Sequence, residues 1–418
     1  MTIAAIDMEK LPAMDLGDRI SCKLVFSKLK TLTRGYLVIE LNGSVFQFGV
    51  LNPSEDNAAT IIVDDPSFFS DILTGGIIGA GEAYMAKKWS SPDLTKVVQL
   101  MAQNMSMAHD FDKKRSVFNK VSTRIFHWLN RNSKTNSKQN ISAHYDLGNE
   151  FFELFLDPTM MYSSAIFPQT SASLEKASVF KLQEICRKLQ LESNDHLLEI
   201  GTGWGGMAIY AAKNYGCQVT TTTISDEQYN YAKERVKAAG LDSQITVLKQ
   251  DYRELTGKYD KLVSVEMIEA VGHEYYQSYF NQCNNLLKQN GLMLIQAITI
   301  ADQRYERAKT SVDFIQRYIF PGGCLPSNSV ITQYVAKATD LQLVGVDDIT
   351  PHYARTLQLW RERFSDNIGR IRSMGFDDQF CKMWEFYLCY CEGGFKERAI
   401  SAAHFVCAKP DFRFKALK

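Results

Sequence analysis

Nowhere in its 418 residues does the chain hold about 18 consecutive apolar residues, the length needed to cross a bilayer, so no transmembrane anchor is expected. Residues 1–20 carry Asp7, Glu9, Asp15 and Asp18 in place of a long apolar run, which argues against a secretory signal. Net charge is missing too. Lys plus Arg and Asp plus Glu number 47 each, so no global field draws the chain to nucleic acid or anionic lipid, and any attraction must come from local patches. The nine cysteines lack metal-ligand spacing; only Cys389 and Cys391 sit close together. No metal site is expected, and reduced thiols in a cytoplasm are the economical reading. No internal repeat is found. What remains, 45% hydrophobic and 22% charged residues, describes an ordinary globular chain able to bury a sizeable core in one large domain or two.

Composition divides the chain. From Leu24 to Val63 apolar and polar residues alternate, with turn signals at Asn42-Gly43 and Asn52-Pro53, which predicts a small β-rich subdomain. Pro66 to Asn104 changes to helical period, and within it GGIIGAGEAYMAKKW, Gly75 to Trp89, reads as a helix-packing segment, with lipid contact the lesser reading. Residues 113–138 carry basic charges only, while Val117, Val121, Ile125, Trp128 and Leu129 recur at helical spacing. Such a basic amphipathic helix either lies on an anionic membrane surface or bridges two domains with its charged face solvated. The expected boundaries are therefore an N-terminal domain over 1–112, a basic helix and linker over 113–142, and a second domain over 143–418.

After Ile141 strand and helix alternate. Strands are expected at Leu197–Gly201, Gln218–Ile224, Thr246–Asp251, Lys261–Met267 and Gly291–Thr299, with Leu341–Ile349 and His404–Lys409 able to complete the sheet at its far edge. The alternation implies an α/β fold: a parallel sheet covered on both faces, with ligands held outside the carboxyl ends of its strands.

The first of these strands runs into LLEIGTGWGG, where Gly201, Gly203, Gly205 and Gly206 crowd a turn before a helix resumes. Such a loop lets backbone approach a ligand and presents a helix N-terminus to it. Two spellings overlap: the dinucleotide fingerprint at Gly201, Gly203 and Gly206, and an S-adenosylmethionine (SAM) loop beginning at Glu199; the glycines alone do not separate them. The second strand ends on neutral Thr223, Ser225 and Gln228, although Asp226 and Glu227 follow directly. Glu199 suits a cationic cofactor better than a pyrophosphate, and together these tilt the reading to SAM.

Asp251, ending the third strand, is placed to accept from an adenine amino group or to cap the next helix. Glu269 and His273 lie just past the fourth strand, where a reactive group would face the cofactor's sulfur end. His144, Tyr145 and Asp146 lead into an aromatic run up to Phe155 that reads as core or as a lid. Tyr162, Ser163, Ser164, Gln296, Tyr353 and Cys391 carry little weight singly.

Taken in order, HYDLGNEFF, MMYSSAIF, LLEIGTGWGG, TISDEQ, QDYREL, EMIEAVGHE, FIQRYIFPGGCLPS, HYARTLQLW and CEGGFKER resemble the cyclopropane-fatty-acyl-phospholipid synthase and mycolic-acid cyclopropane synthase family over nearly the whole of 143–410. The resemblance implies a SAM-dependent methyltransferase fold, Rossmann-like with a seven-stranded sheet, beside a smaller N-terminal α+β domain that handles lipid. It implies cyclopropanation of a double bond in unsaturated phospholipid acyl chains, by a cytoplasmic enzyme peripherally associated with the membrane. Nucleic acid is not expected as a partner, and a homodimer is allowed. The family's SAM contacts fall on Tyr162, Ser163, Gly201, Gly203, Thr223, Gln228 and Asp251. Its base is a bound bicarbonate, whose holders fall on Glu269, Tyr353 and Cys391. Two positions depart from the best-known bacterial pattern: Gln296 stands where a His is usual and Ser164 where a Cys is usual. Both can still hydrogen-bond an oxyanion. If deprotonation occurs elsewhere, the same site would give methylene- or methyl-branched chains. A protein that binds SAM and lipid without turnover is the reading from another class.

Overall fold

The computed structural model describes residues 12, 14–50, 58–105 and 147–414, and two compact units are distinct within it. The basic segment 113–138 and the residues His144, Tyr145 and Asp146 lie outside the described residues.

The smaller unit begins with a helix where the alternation of Leu24–Leu29 predicts strand. Asp15 caps α1 (Leu16–Leu29) by accepting from the Asp18 amide at 2.8 Å, and Cys22, Val25, Phe26 and Leu29 fall on its buried side. Their spacing of three and four residues is a helical stripe, which overrides the local alternation. Then follow β1 (Tyr36–Leu41), β2 (Ser44–Gly49), β3 (Ala58–Val63) and the short β4 (Trp89–Ser90), in the order β2-β1-β3-β4. The β1–β2 hairpin turns at Asn42-Gly43 as expected, both with positive φ. Phe26 meets Phe46 and Phe48 with ring centroids 4.9 Å apart, closing this core.

α2 (Phe68–Met85) and α3 (Leu94–Gln103) pack against the Asp378–Lys396 helix, which belongs to this unit together with the rest of 364–399 and with 312–319. The glycines of α2 are contact surfaces: a Cβ on Gly81 would lie 2.5 Å from the Phe314 ring, and one on Gly79 would strike the Asp71 carbonyl. That fits the helix-packing reading of Gly75–Trp89. No helix among the described residues is long and apolar enough to cross a membrane.

The larger unit is built on seven strands: β5 (His196–Ile200), β6 (Gln218–Thr223), β7 (Ile245–Lys249), β8 (Tyr259–Val265), β9 (Leu287–Ile300), β10 (Gln342–Asp348) and β11 (Ile400–Ala408). The order is β10-β11-β9-β8-β5-β6-β7, with β5 to β9 parallel and β11 antiparallel to both its neighbours. All seven expected strands are present. Apolar clusters fill both faces of the sheet, one gathering Leu198, Leu262, Tyr276 and Phe280, the other Leu182, Ile185, Met207 and Val263. A two-sided core explains why the central strands read as unbroken apolar runs. The strand order reverses between β5 and β8, and a crevice for ligands is expected there, outside the carboxyl ends.

Candidate active site

The loop after β5 occupies that crevice. Gly201, Gly203 and Gly205 take φ of 100°, 52° and 84°, a region that a side chain disfavours, and α5 (Gly206–Tyr215) starts directly after them. The glycines serve different ends. A Cβ on Gly206 would lie 2.4 Å from the Thr159 carbonyl oxygen, so Gly206 is needed for packing, whereas a Cβ on Gly203 would meet nothing within 4 Å. Gly203 therefore offers open backbone to a ligand.

At the end of β6, Thr223 donates its hydroxyl to Gln228 Oε1 at 2.8 Å, and Ser225 caps α6 (Asp226–Ala238) through the Gln228 amide. Asp251, past β7, caps a short turn and forms a bidentate pair with Arg253 at 2.8 and 2.6 Å, so the capping role is realised. The Tyr162 ring packs among Phe152, Trp360 and Phe320 at 5.3–6.4 Å. These positions ring the carboxyl ends of β5, β6 and β7, and the neutral acceptors of Thr223 and Gln228, the Asp251 carboxylate and the aromatic faces suit a nucleoside joined to a cationic side chain.

Glu199 is placed otherwise than as an open countercharge. It is 3% exposed and accepts from the Thr221 hydroxyl at 2.6 Å. Burial lifts its carboxyl to about 8, against the opposing pull of that hydrogen bond and of Lys181. Lys181, on α4 (Leu174–Lys188), is wholly buried and donates to Ser163 Oγ at 2.6 Å. Burial brings its ammonium down to about 8, with Glu266, Asp157 and Glu199 resisting the fall.

The densest chemistry lies where β8 ends. Glu266 is a site residue that the sequence reading does not single out, since it falls inside the expected strand Lys261–Met267. Its carboxylate is closed on by three donors: the Ser164 amide (2.9 Å) and Gln296 Nε2 (2.7 Å) on Oε1, and the Tyr353 hydroxyl (2.6 Å) on Oε2. Its φ is +49°, a left-handed conformation that a residue with a side chain seldom adopts, and strain of this kind gathers at functional positions. Three residues on, Glu269 accepts from the Ile298 amide through Oε1, while its buried Oε2 has no hydrogen-bond partner. Burial, and then the charge of Glu266, push the Glu269 carboxyl up to about 8. Burial raises Glu266 as well, but its three hydrogen bonds and Lys181 oppose the rise. Burial raises both carboxyls, and of the two Glu266 carries the hydrogen bonds and the Lys181 charge that favour its anion, while Glu269 lacks comparable support.

The sheet sets Gln296. It pairs with Val265 of β8 on one side and with His404 of antiparallel β11 on the other. His404 Nε2 lies 2.9 Å from Gln296 Oε1, and Lys188 Nζ lies 2.9 Å from His404 Nδ1. Burial and the charges of Lys188 and Lys181 keep His404 neutral.

The structure thus brings Ser164, Glu269, Gln296 and Tyr353 together at the carboxyl ends of β8 and β9. It ties them to the glycine loop through Met267, whose side chain lies 3.4 Å from where a Gly201 Cβ would stand. Cys391 stands on the Asp378–Lys396 helix of the smaller unit, half-buried, with its thiol pushed above the ordinary range by burial. Among the expected holders of bicarbonate, Ser164, Gln296 and Tyr353 all direct donors at Glu266. The residues present do not offer those donors to a second anion.

Residues 132–405 match the mycolic acid cyclopropane synthetase family. A tuberculostearic acid methyltransferase of Mycobacterium tuberculosis is 35% identical over 417 residues, covering 94% of both chains. A cyclopropane-fatty-acyl-phospholipid synthase of Escherichia coli is 37% identical over 349 residues, 82% of this chain and 86% of that one. A solved mycolic acid cyclopropane synthase complexed with SAH and CTAB superposes with a TM-score of 0.61 at 31% identity, over 65% of this chain and 98% of that one.

Proposed function

Because the chain belongs to the mycolic acid cyclopropane synthetase family, we propose that it transfers a methyl group from SAM to a double bond in unsaturated phospholipid acyl chains and closes a cyclopropane ring there. It would do so as a cytoplasmic enzyme working at the membrane surface. The observation that carries this reading is the adjacency, through Met267 and Gly201, of an open glycine loop and a buried carboxylate pair at the switch point of the sheet.

Bound SAM supplies an electrophilic methyl on a sulfonium. Gly201 and Gly203 would admit it against backbone, Thr223 and Gln228 would face its ribose hydroxyls, Asp251 its adenine, and Tyr162 and Ser163 its methionine end. An alkene is a weak nucleophile, so the site must align it and keep water out, which the aromatic wall of Phe152, Phe155, Tyr162 and Trp360 favours. Aromatic faces and the carboxylate beyond them stabilise the positive charge that develops on the acyl chain. A base must then take a proton from the new methyl group.

A second reading, methyl or methylene branching of the same chains, draws support from the likeness to the tuberculostearic acid methyltransferase over 94% of both chains. Incubation with SAM and vesicles of a defined unsaturated phospholipid, with and without anionic lipid, tests both. The first reading expects the mass of one added methylene with loss of the double bond, and a cyclopropane resonance in the product. A branched alkene of equal mass, resolved by chromatography, would replace it with the second. SAM binding by calorimetry without any product would overturn both and leave a silent SAM- and lipid-binding protein.

A further inference from the structure

We infer that Glu266 is the catalytic anion of this site, a carboxylate supplied by the chain itself where the resemblance places a bound bicarbonate. This rests on the methyl-transfer reading above and goes beyond it. Bicarbonate and carboxylate share a planar trigonal centre with two oxygens that accept in the same plane, so one set of donors serves either but not both at once. Here the set is committed. Ser164 N–H, Gln296 Nε2 and the Tyr353 hydroxyl converge on Glu266 at 2.9, 2.7 and 2.6 Å.

The two departures from the bacterial pattern acquire a common reason. Ser164 meets the carboxylate through its backbone amide while its hydroxyl donates to the Ala165 carbonyl at 2.9 Å, so its side chain is not asked to bind an anion. The orientation of Gln296 is fixed from behind. An ammonium can only donate, so Lys188 makes Nδ1 of the neutral His404 an acceptor and Nε2 a donor. Gln296 Oε1 must then face His404, and its NH₂ must face Glu266. Lys181 supplies a buried positive charge for Glu266. The left-handed φ of Glu266 completes the case: this conformation is easy for glycine and strained for glutamate, yet glutamate stands there.

In the step assigned to it, the carbon–sulfur bond of SAM breaks with its electron pair left on sulfur, and the alkene π pair forms the new carbon–carbon bond. A cation remains on the neighbouring carbon. Glu266 takes a proton from the transferred methyl, and the freed C–H pair closes the ring onto that carbon. The carboxyl group then loses its proton to solvent before the next turnover. A base fixed to the chain needs no separate binding event, and its position is set by the fold.

The test uses the full-length protein with SAM and unsaturated phospholipid vesicles in buffer freed of carbon dioxide. The wild-type rate should stay within about two-fold whether or not bicarbonate is added. Glu266→Gln should lose about 100-fold or more, within the range of general-base catalysis, with no recovery on adding bicarbonate. Glu266→Gly, which relieves the backbone and clears the side chain, should be similarly slow and recover about ten-fold or more with bicarbonate or formate. Carbon-13 line broadening of labelled bicarbonate should appear with Glu266→Gly and not with wild type. A wild-type rate that collapses without bicarbonate, wild-type broadening of the bicarbonate signal, or a fully active Glu266→Gln would overturn the inference. Were wild type to bind SAM and make no product, the methyl-transfer reading would fall, and the bicarbonate signal of wild type alone would still decide whether the anion seat belongs to Glu266. Should Glu266→Gly not fold, wild type and Glu266→Gln carry the test.

Discussion

His404 and Gln296 face each other across the antiparallel pairing of β11 and β9, with His404 Nε2 2.9 Å from Gln296 Oε1. This contact, far from any solvent, fixes which end of the amide meets Glu266. A single inverted strand at the end of an otherwise parallel run thus determines the donor presented at the site.

Gln296→Leu removes one of the two donors on Glu266 Oε1 and strands the His404 N–H. A hydrogen bond to a charged group contributes about 1.5–3 kcal/mol, so methyl transfer is expected to fall about 10- to 100-fold. Initial rates and a thermal melt check this. A wild-type rate would show that the amide does not bear on the reaction.

Tyr353→Phe removes the hydrogen bond that holds Glu266 Oε2 in its charged form. With that support gone the folded pKa of Glu266 rises further, and the group is ionised only at higher pH. The acid limb of the pH–rate profile should shift upward, while the rate on the alkaline side recovers part of the loss. An unshifted limb with a uniformly lower rate would assign Tyr353 to packing.

Glu269→Gln is read through stability. Burial and the charge of Glu266 raise the folded pKa of Glu269 to about 8 from the ordinary carboxyl value of 4.5. Below 4.5 both folded and unfolded chains carry the proton, and the stability that the protonated site contributes is fully present. Between the two values only the folded chain keeps it, so stability falls as pH rises, and the contribution is gone once pH passes about 8. Melting curves from pH 5 to 9 should show a wild-type decline that Glu269→Gln lessens. Parallel declines in the two proteins would place the titration elsewhere.

Gly203→Ala and Gly206→Ala should part company. The first places a methyl in open space beside the cofactor loop, so SAM affinity should weaken about ten-fold or more, equivalent to about 1.4 kcal/mol, with a modest drop in melting temperature from its positive φ. The second drives a methyl to 2.4 Å from the Thr159 carbonyl and should cost the fold before it costs binding. Calorimetric titration alongside melting separates them, and equal effects on both measurements would refute the distinction.

Much of the larger unit was open to reading from its residues because buried parallel strands are apolar runs between glycine and polar turns. All seven strands fall near their expected places. The site was legible only in part. Gln296, Ser164, Tyr353 and Glu269 are reached through resemblance, and they converge. Glu266 escapes because it follows Val265 in an apolar run and is counted inside a strand expected to continue to Met267. A charged residue at the carboxyl end of such a run was the available signal. His404 in AAHFVCA and Lys181 in FKLQEI give no comparable sign, since their burial arises only when β11 and α4 pack in the folded unit. Leu24–Leu29 is mistaken for strand because alternation is judged over a window too short to show the stripe beginning at Cys22.

The segments 312–319 and 364–399, which complete the smaller unit, are encoded after most of the strands of the larger one. During synthesis the first 105 residues therefore wait for a helix some 270 positions downstream, and α2 and α3 leave the ribosome with the apolar faces that this helix will cover exposed. The two units are not beads on a string. A cut in the 113–142 stretch would yield an N-terminal fragment lacking part of its own interior, so exchange of N-terminal segments between relatives at that point should give insoluble chimeras unless the distal helix is transplanted with them.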